Sequence, residues 1–577
     1  MPTRPDEPSR ARRLRAVAAL AGAAFLIGAM IGAAHQDDGR QTAERFAAAW
    51  KHNDYAAMHA LLTPAARART SAAGFAAAYE RDAVTATAIG RPTIGTPRKS
   101  GGGYVLPVSV RTAAFGPVSG TVDLRLTGHG DEARVGWVPS MAFPGLKAGE
   151  RLTSSTEMPP RASLLARDGT ALAAGADRSS ALGDAARAAT GDLGTAPPAR
   201  VAALRRAGIP DGTPVGVSGL ERIFDARLAG RPGGHLLAGT RVLAERDPQR
   251  ADDLRTTISP SVQQAAVTAL AGRIGGVVAI KPATGEILAF AGIPFSGLQP
   301  PGSTFKIVTL AGVLQNKLAG PHSSYPYASD ATLAGVKLAN ANGESCGGPL
   351  PLAFAVSCNS VFAPLGARLG ARRLVATAEA LGFNHPAGVP GAATSTIPAA
   401  DEIGDDLAVG STAIGQGRVQ ATTLQMTRIA ATIALAGRAP GLTLDIGRPA
   451  VPGRQLIPAT VARQVRTMME GVVRVGTGRS AAIPGVVIAG KTGTAELRTT
   501  VPCVRDPVTG LGALESCPDD KNQDDDPTDT DAWFVSFAPS RAPRVVVGVL
   551  LVQSGAGGDT AAPAARQVLL AGLKLPR

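Results

Sequence analysis

Little in this 577-residue chain points to a metal, a nucleotide or a nucleic acid. Its seven histidines and four cysteines show no zinc-ligand spacing, and no phosphate-cradling glycine loop occurs, so no cofactor is expected. Four cysteines are also few for a disulfide scaffold. The formal charge is +14, yet beyond the N-terminal arginines no basic block with interleaved aromatics occurs, so nucleic acid is not an expected partner. Internal repeats and long low-complexity tracts are absent. The acidic run Asp519 to Asp531 lacks the glycine and terminal glutamate of a calcium loop and reads as solvated. Lysine is scarce: only ten of the 59 basic residues are lysine. Any lysine inside a chemical motif therefore carries weight.

What is present implies several modules, because the chain exceeds what one core usually organises. An apolar fraction of 45% suits a globular protein, and 69 glycines with 44 prolines imply many turns. Residues Ala16 to Ala34 form an apolar run about long enough to cross a bilayer, preceded by Arg4, Arg10, Arg12, Arg13 and Arg15. Basic flanks stay cytoplasmic, so residues 1–15 are expected inside, 16–34 as a transmembrane anchor and the rest outside. The competitor is a cleaved signal, with Gly32, Ala33 and Ala34 as the processing site. In an exported chain Cys503 and Cys517 are spaced to staple the stretch between them. Cys346 and Cys358 read equally as a pair or as free buried thiols.

Beyond the anchor, Gln41 to Leu62 has mostly helical apolar spacing and a second alanine-rich segment runs to Tyr79. Alternation follows in Tyr104 to Val110, Gly120 to Leu126 and Arg134 to Val138, which predicts a small α+β domain over 40–148. Residues 150–253 shift to Arg, Ala, Gly and Pro with weak periodicity and read as a linker module. The last region, 256–577, opens with a helix from Ser261 to Leu270, then two strands, Gly276 to Ile280 and Glu286 to Phe290, joined as a hairpin. Strands are expected again at Ala532 to Phe537 and Arg544 to Val552, before a closing helix, Ala561 to Leu575. Strands at both ends of this region imply one sheet joining distant parts of the chain.

Three short patterns carry chemistry. In Pro301-Gly302-Ser303-Thr304-Phe305-Lys306 the serine falls in the first turn of an apolar helix with the lysine three residues on. That spacing brings both side chains to one face. A serine hydroxyl needs a base, and Lys306 serves only if neutral, which burial and the positive helix end both favour. The second pattern is Ser357-Cys358-Asn359. The third is Lys491-Thr492-Gly493-Thr494, placed after a strand-like Val486 to Ala489. A second hydroxyl shuttles protons, and an amide side chain holds a peptide bond. A lysine with two threonines on an edge strand suits a terminal carboxylate, and Gly493 lets a ligand approach the strand closely. Each pattern alone recurs by accident in long chains; the ordered trio does not.

With these residues, together with Gly415-Gln416-Gly417, Thr422-Thr423-Leu424-Gln425-Met426 and Asp531-Ala532-Trp533-Phe534, residues 256–577 closely resemble the transpeptidase domain of penicillin-binding proteins. Gly136-Trp137-Val138-Pro139-Ser140 and Phe143-Pro144-Gly145-Leu146 resemble the end of the NTF2-like domain preceding it in some low-affinity class B enzymes. Residues 150–253 resemble the family's pedestal through Arg167-Asp168-Gly169 and Gly219-Leu220-Glu221, with Ala162 where the family usually has glycine. The resemblance implies a multidomain α+β protein: membrane helix, NTF2-like cone, pedestal, and a transpeptidase domain whose antiparallel sheet is flanked by helices.

It also implies roles. Ser303 attacks the penultimate D-Ala carbonyl of a peptidoglycan stem peptide and Lys306 accepts its proton. Ser357 relays protons with Lys491, Asn359 holds the peptide amide, and Thr492 and Thr494 bind the terminal carboxylate beside Gly493. The N–H groups of Ser303 and Thr494 form the oxyanion hole, and β-lactams mimic the substrate. No glycosyltransferase module is found, so a separate glycan polymerase is an expected partner by analogy. A β-lactamase or D,D-carboxypeptidase shares the trio but passes the acyl group to water. A sensor or scaffold binds without turnover.

Overall fold

A computed structural model describes residues 38–128, 132–451, 453–496 and 530–576. The expected anchor at 16–34, Cys503, Cys517 and the acidic run through residue 529 lie outside the described residues. Among the described residues no helix is long and apolar enough to cross a membrane. The chain divides into two compact units: one takes residues up to 161 with 195–214 and 229–251, the other takes 162–194, 215–228 and 252 onward.

The first unit follows the alternating and helical patterns already noted. Helices α1 (Asp38–Lys51) and α2 (Ala72–Thr85) accompany an antiparallel pair, β1 (Gly103–Arg111) and β2 (Pro117–Thr127), in register from Gly103↔Arg125 to Arg111↔Pro117. Alternate residues Tyr104, Leu106, Val108 and Val110 are buried, the period of a strand with one covered face. Short polar side chains start helices here: Ser71 Oγ accepts from Gly74 N at 3.1 Å at the start of α2, and Thr63 Oγ1 accepts from Ala66 N at 3.2 Å at the start of a short helix, Pro64–Arg69. Trp50, Phe75, Tyr79 and Trp137 form an aromatic core, in which the Trp137 indole donates to the Tyr79 hydroxyl at 3.2 Å. Burial raises the Tyr79 phenol above its ordinary range. A three-stranded sheet completes the unit, with β4 (Gly233–Ala238) between β3 (Leu152–Glu157) and β5 (Arg241–Arg246).

Residues 150–253 thus contribute to both units. The reason is pairing: β3 finds its partner in β4, whereas Leu164–Leu165 pairs with Ala171–Ala173 and with Leu254–Arg255 in the second unit.

The second unit is built on a five-stranded antiparallel sheet. After α3 (Pro260–Leu270) come β6 (Gly275–Lys281) and β7 (Glu286–Gly292), then α4 (Lys306–Gln315), α5 (Asn359–Leu369), α6 (Thr423–Ala434) and α7 (Ala459–Arg474). The chain returns through β8 (Ala489–Glu496), β9 (Thr530–Ala538) and β10 (Val545–Leu551) and ends in α8 (Ala561–Leu573). Strand order is β7-β6-β10-β9-β8, so strands more than 250 residues apart in sequence pair, β6 with β10 from Gly275↔Leu551 to Ile280↔Val546. Val547, Val549 and Leu551 share one core with α3 and α8. The intervening Gly548 faces α6 so closely that a Cβ there would lie 2.0 Å from Thr427 Oγ1. Helices therefore cover both faces, which is why β10 reads as an unbroken apolar run buried at every residue.

Two expectations are corrected here. The strand begins later than Val486: Val487 is exposed, and the extended segment starts at Ala489 and carries Lys491 to Thr494 on the sheet edge, as the motif's edge-strand placement implies, paired with β9 from Ala489↔Phe537 to Glu496↔Thr530. Ser303 lies not in the α-helix but in a 3-10 turn, Gly302–Phe305, that leads into α4.

Candidate active site

Three elements bring the patterns together. The Gly302–Phe305 turn packs against edge strand β8, and the Gly302 N–H ties the turn to a separate loop by donating to Gly415 O at 3.0 Å. Gly302 has φ +50° and a Cβ there would meet Thr494 O at 2.7 Å. Gly493 is as confined: a Cβ would stand 2.8 Å from Pro301 O and 2.9 Å from Trp533 Cβ. Glycine at these two places is what lets turn and strand touch.

Ser303 is half-buried at this junction, whereas Lys306 and Lys491 are fully buried. Lys306 Nζ donates to Ser357 O at 2.6 Å, Asn359 Oδ1 at 2.6 Å and Ser357 Oγ at 3.3 Å. Among the described residues, these three hydrogen bonds all end on the second motif rather than on Ser303. Lys491 Nζ donates to Ser357 Oγ at 2.9 Å and to Thr492 O at 3.0 Å. Ser357 is the hub, reached by both lysines, and its backbone sits in the left-handed region at φ 63°. Such strain in a residue with a Cβ persists only where the surroundings enforce it.

Neither lysine forms an ion pair among the described residues, and each ammonium nitrogen lies near an aromatic ring: Phe362 for Lys306 at 5.9 Å and Phe354 for Lys491 at 5.6 Å, to the centroids. Burial without a counter-charge disfavours the cation. Desolvation, then the neighbouring Lys491 charge, pushes Lys306 well below the ordinary lysine range, and desolvation pushes Lys491 down to about 7. A neutral amine keeps two N–H donors and gains a lone pair. For Lys306 the two 2.6 Å acceptors take the donors, which frees the lone pair for a hydroxyl proton.

Thr492 is buried and Thr494 half-buried on β8. Gly557 N–H donates to Thr494 Oγ1 at 3.4 Å. Asn359 has both ends of its amide engaged, Oδ1 by Lys306 and Nδ2 by Ala339 O at 3.0 Å. One residue was not visible as a site residue in the sequence. Thr477, exposed in the loop after α7, places Oγ1 2.5 Å from Thr492 Oγ1 and anchors its N–H to Ala355 O at 3.1 Å. The two hydroxyls meet from separate elements, so no local spacing signals them. Cys346 and Cys358, left open as a pair or as free thiols, are disulfide-bonded.

Residues 275–502 match the penicillin-binding protein transpeptidase domain. Peptidoglycan D,D-transpeptidase PbpA of Mycolicibacterium smegmatis is 34% identical over 425 residues, 62% of this chain and 80% of that protein. Among solved structures, PBPA from Mycobacterium tuberculosis aligns at TM-score 0.56 with 27% identity, over 72% of this chain and 99% of that one. Its imipenem acyl-enzyme complex aligns at TM-score 0.55 with 26% identity and the same coverage. With that likeness in sequence and fold converging on the segment that assembles Ser303, Lys306, Ser357, Asn359 and Lys491, the chain belongs to the class B penicillin-binding proteins.

Proposed function

We propose that this chain is a peptidoglycan D,D-transpeptidase that cross-links stem peptides through an acyl-serine intermediate and is acylated by β-lactams. The observation that carries the reading is one hydroxyl, Ser357 Oγ, shared by two buried lysines whose environment favours the neutral amine. Ser303 Oγ attacks the penultimate D-Ala carbonyl as its proton passes to Lys306. The new C–O bond forms, the C–N bond breaks, and Ser357, held by Lys491, hands its hydroxyl proton to the departing D-Ala nitrogen and takes the proton on Lys306 in its place. An acceptor amine then attacks the ester, and its proton returns to Ser303 Oγ. The N–H groups of Ser303 and Thr494 receive the oxyanion, a contribution of ~3–4 kcal/mol per donor in comparable sites. Thr492 and Thr494 take the terminal carboxylate beside Gly493, with Thr477 bracing Thr492. Asn359 exchanges its contact with Ala339 for the substrate amide. A β-lactam opens its ring on the same serine.

The surrounding assignments belong to the same reading. Residues 1–15 are cytoplasmic, 16–34 form a single membrane anchor, 40–148 an NTF2-like domain, 150–253 a pedestal and 256–577 the extracytoplasmic transpeptidase domain, with a separate glycan polymerase as partner. The helices packed on β1 and β2 support the NTF2-like assignment, and the basic-flanked apolar run supports the anchor.

The test is partitioning of the acyl group. A thioester ending like a D-Ala-D-Ala stem is supplied with a D-amino acid acceptor, and products are weighed. The acceptor-containing amide should dominate and vanish in Ser303→Ala. Release of the free acid alone would mean a carboxypeptidase, rapid β-lactam hydrolysis a β-lactamase, and binding without either product a sensor.

A further inference from the structure

The second motif is fastened from a segment that supplies no side chain to the chemistry above. Between α4 and the helix Leu350–Ala355, the chain forms two small ladders: Ser324–Ala328 with Cys346–Pro349, and Asp330–Leu333 with Val336–Ala339. This insert grips three successive residues. Cys346 is disulfide-bonded to Cys358, Ala339 O accepts from Asn359 Nδ2 at 3.0 Å, and Asn340 Oδ1 accepts from the Ser360 N–H at 2.8 Å.

Asn340 is the centre of that grip. It is 6% exposed, and its Nδ2 points at Ala328 O (2.8 Å), Glu344 O (2.8 Å) and Ser360 Oγ (3.2 Å). Its own N–H donates to Ser329 O at 2.8 Å. A helix normally has its first free N–H groups satisfied by the side chain at its own N-cap. The N-cap of α5 is Cys358, which makes no such bond and has its sulfur committed to the disulfide. Asn340 supplies the cap from across the insert. Directly upstream lies Ser357 in its left-handed conformation, which the surroundings must impose.

We infer that Asn340 is a positioning residue for the acylation step: it caps α5 in trans and, with the Cys346–Cys358 disulfide, holds Ser357 and Asn359 where Lys306 and Lys491 meet them. The inference rests on the acyl-serine reading. Asn340 touches no reacting atom. Without it the Ser360 N–H turns to water and the first turn of α5 loosens, letting Ser357 Oγ and Asn359 Oδ1 drift from the two lysines. A misplacement of about 1 Å costs on the order of 100-fold in rate. The loss falls chiefly on the chemical step, because the strand that receives the carboxylate is untouched and, of the groups that bind substrate, only Asn359 moves.

The experiment is stopped-flow acylation of the full chain in detergent by a fluorescent penicillin, resolved into a saturation constant and a limiting rate. Asn340→Ala should lower the limiting rate about 10- to 100-fold with the saturation constant within about twofold. Asn340→Asp keeps the acceptor for Ser360 N–H but loses the Nδ2 donations, and should fall between, about three- to tenfold below the parent. A purely structural role would reduce the fraction of active protein and leave the limiting rate of that fraction at the parental value. If the alanine variant does not fold, the aspartate variant decides alone. A parental limiting rate in a folded variant, or a change confined to the saturation constant, overturns the inference. A parent that is never acylated overturns the acyl-serine reading and this inference with it, whereas an acylated parent with equally fast variants overturns this inference only.

Discussion

At the scale of single residues, the site rests on keeping two lysines neutral. In its proposed role as base Lys306 acts only without its proton, so the acylation rate should fall on acidification as Lys306 becomes protonated, and be insensitive to raising the pH further. A pH–rate profile from 5 to 9 checks the direction, and a rate that rises toward low pH would contradict it. The same burial has a stability consequence. A lysine whose folded pKa is depressed is protonated in the unfolded chain but not in the folded one. The unfolded state then binds more protons between about 7, for Lys491, and the ordinary lysine value of 10.5, so stability rises with pH across that window. Melting temperature followed from pH 6.5 to 9 should increase, and the increase should shrink in Lys491→Met. The structure brings Lys306, Ser357, Asn359 and Lys491 into contact, and as candidates these and Ser303 were legible because each motif is a short local string with a chemical reason for its spacing. Thr477 and Asn340 were not. Each acts on a motif 15 or more residues away, across a fold that local spacing does not encode.

At the scale of elements, the Gly302–Phe305 turn and β8 meet backbone to backbone. Gly493→Ala would force a methyl toward Pro301 O at 2.8 Å, Trp533 Cβ at 2.9 Å and Thr304 Cγ2 at 3.0 Å. Two of these neighbours are backbone or the root of a buried indole and cannot yield. We expect a loss of roughly 1–3 kcal/mol in stability and at least tenfold slower acylation, read by denaturant melts and penicillin binding. Near-parental values for both would show that turn and strand lie further apart. Strands β6, β7, β9 and β10 and helix α8 were legible from apolar runs and turn residues, to within a few residues. The start of β8 was set early because Val486, Val487 and Ile488 are apolar and β-branched, a strong local strand signal, whereas pairing with β9 begins only at Ala489. Register with the neighbouring strand, a tertiary effect, overrides that local preference.

At the scale of the whole molecule, the aromatic core around Trp137 and the core around β10 are separate clusters, which implies separable unfolding. Trp137→Ala should cost about 3–5 kcal/mol locally. Calorimetry should resolve two transitions with only one lowered, while Ser303 acylation at moderate temperature persists. A single shifted transition with loss of acylation would mean that the units fold as one. The chain's division was only partly legible. The sheet joining residues 275–292 to 530–551 followed from apolar strands at both ends of that region, but the sharing of residues 150–253 between two units depends on long-range pairings of β3 with β4 that short, weakly patterned strands do not announce.

The central claim is that Ser303 is the nucleophile of an acyl-enzyme. The measurement that reaches it most directly is intact-protein mass of the full chain and of Ser303→Ala after exposure to a β-lactam. The account predicts a stable increment equal to the drug's mass on the parent and none on the variant. An equal increment on both, or none on the parent after prolonged exposure, would contradict it.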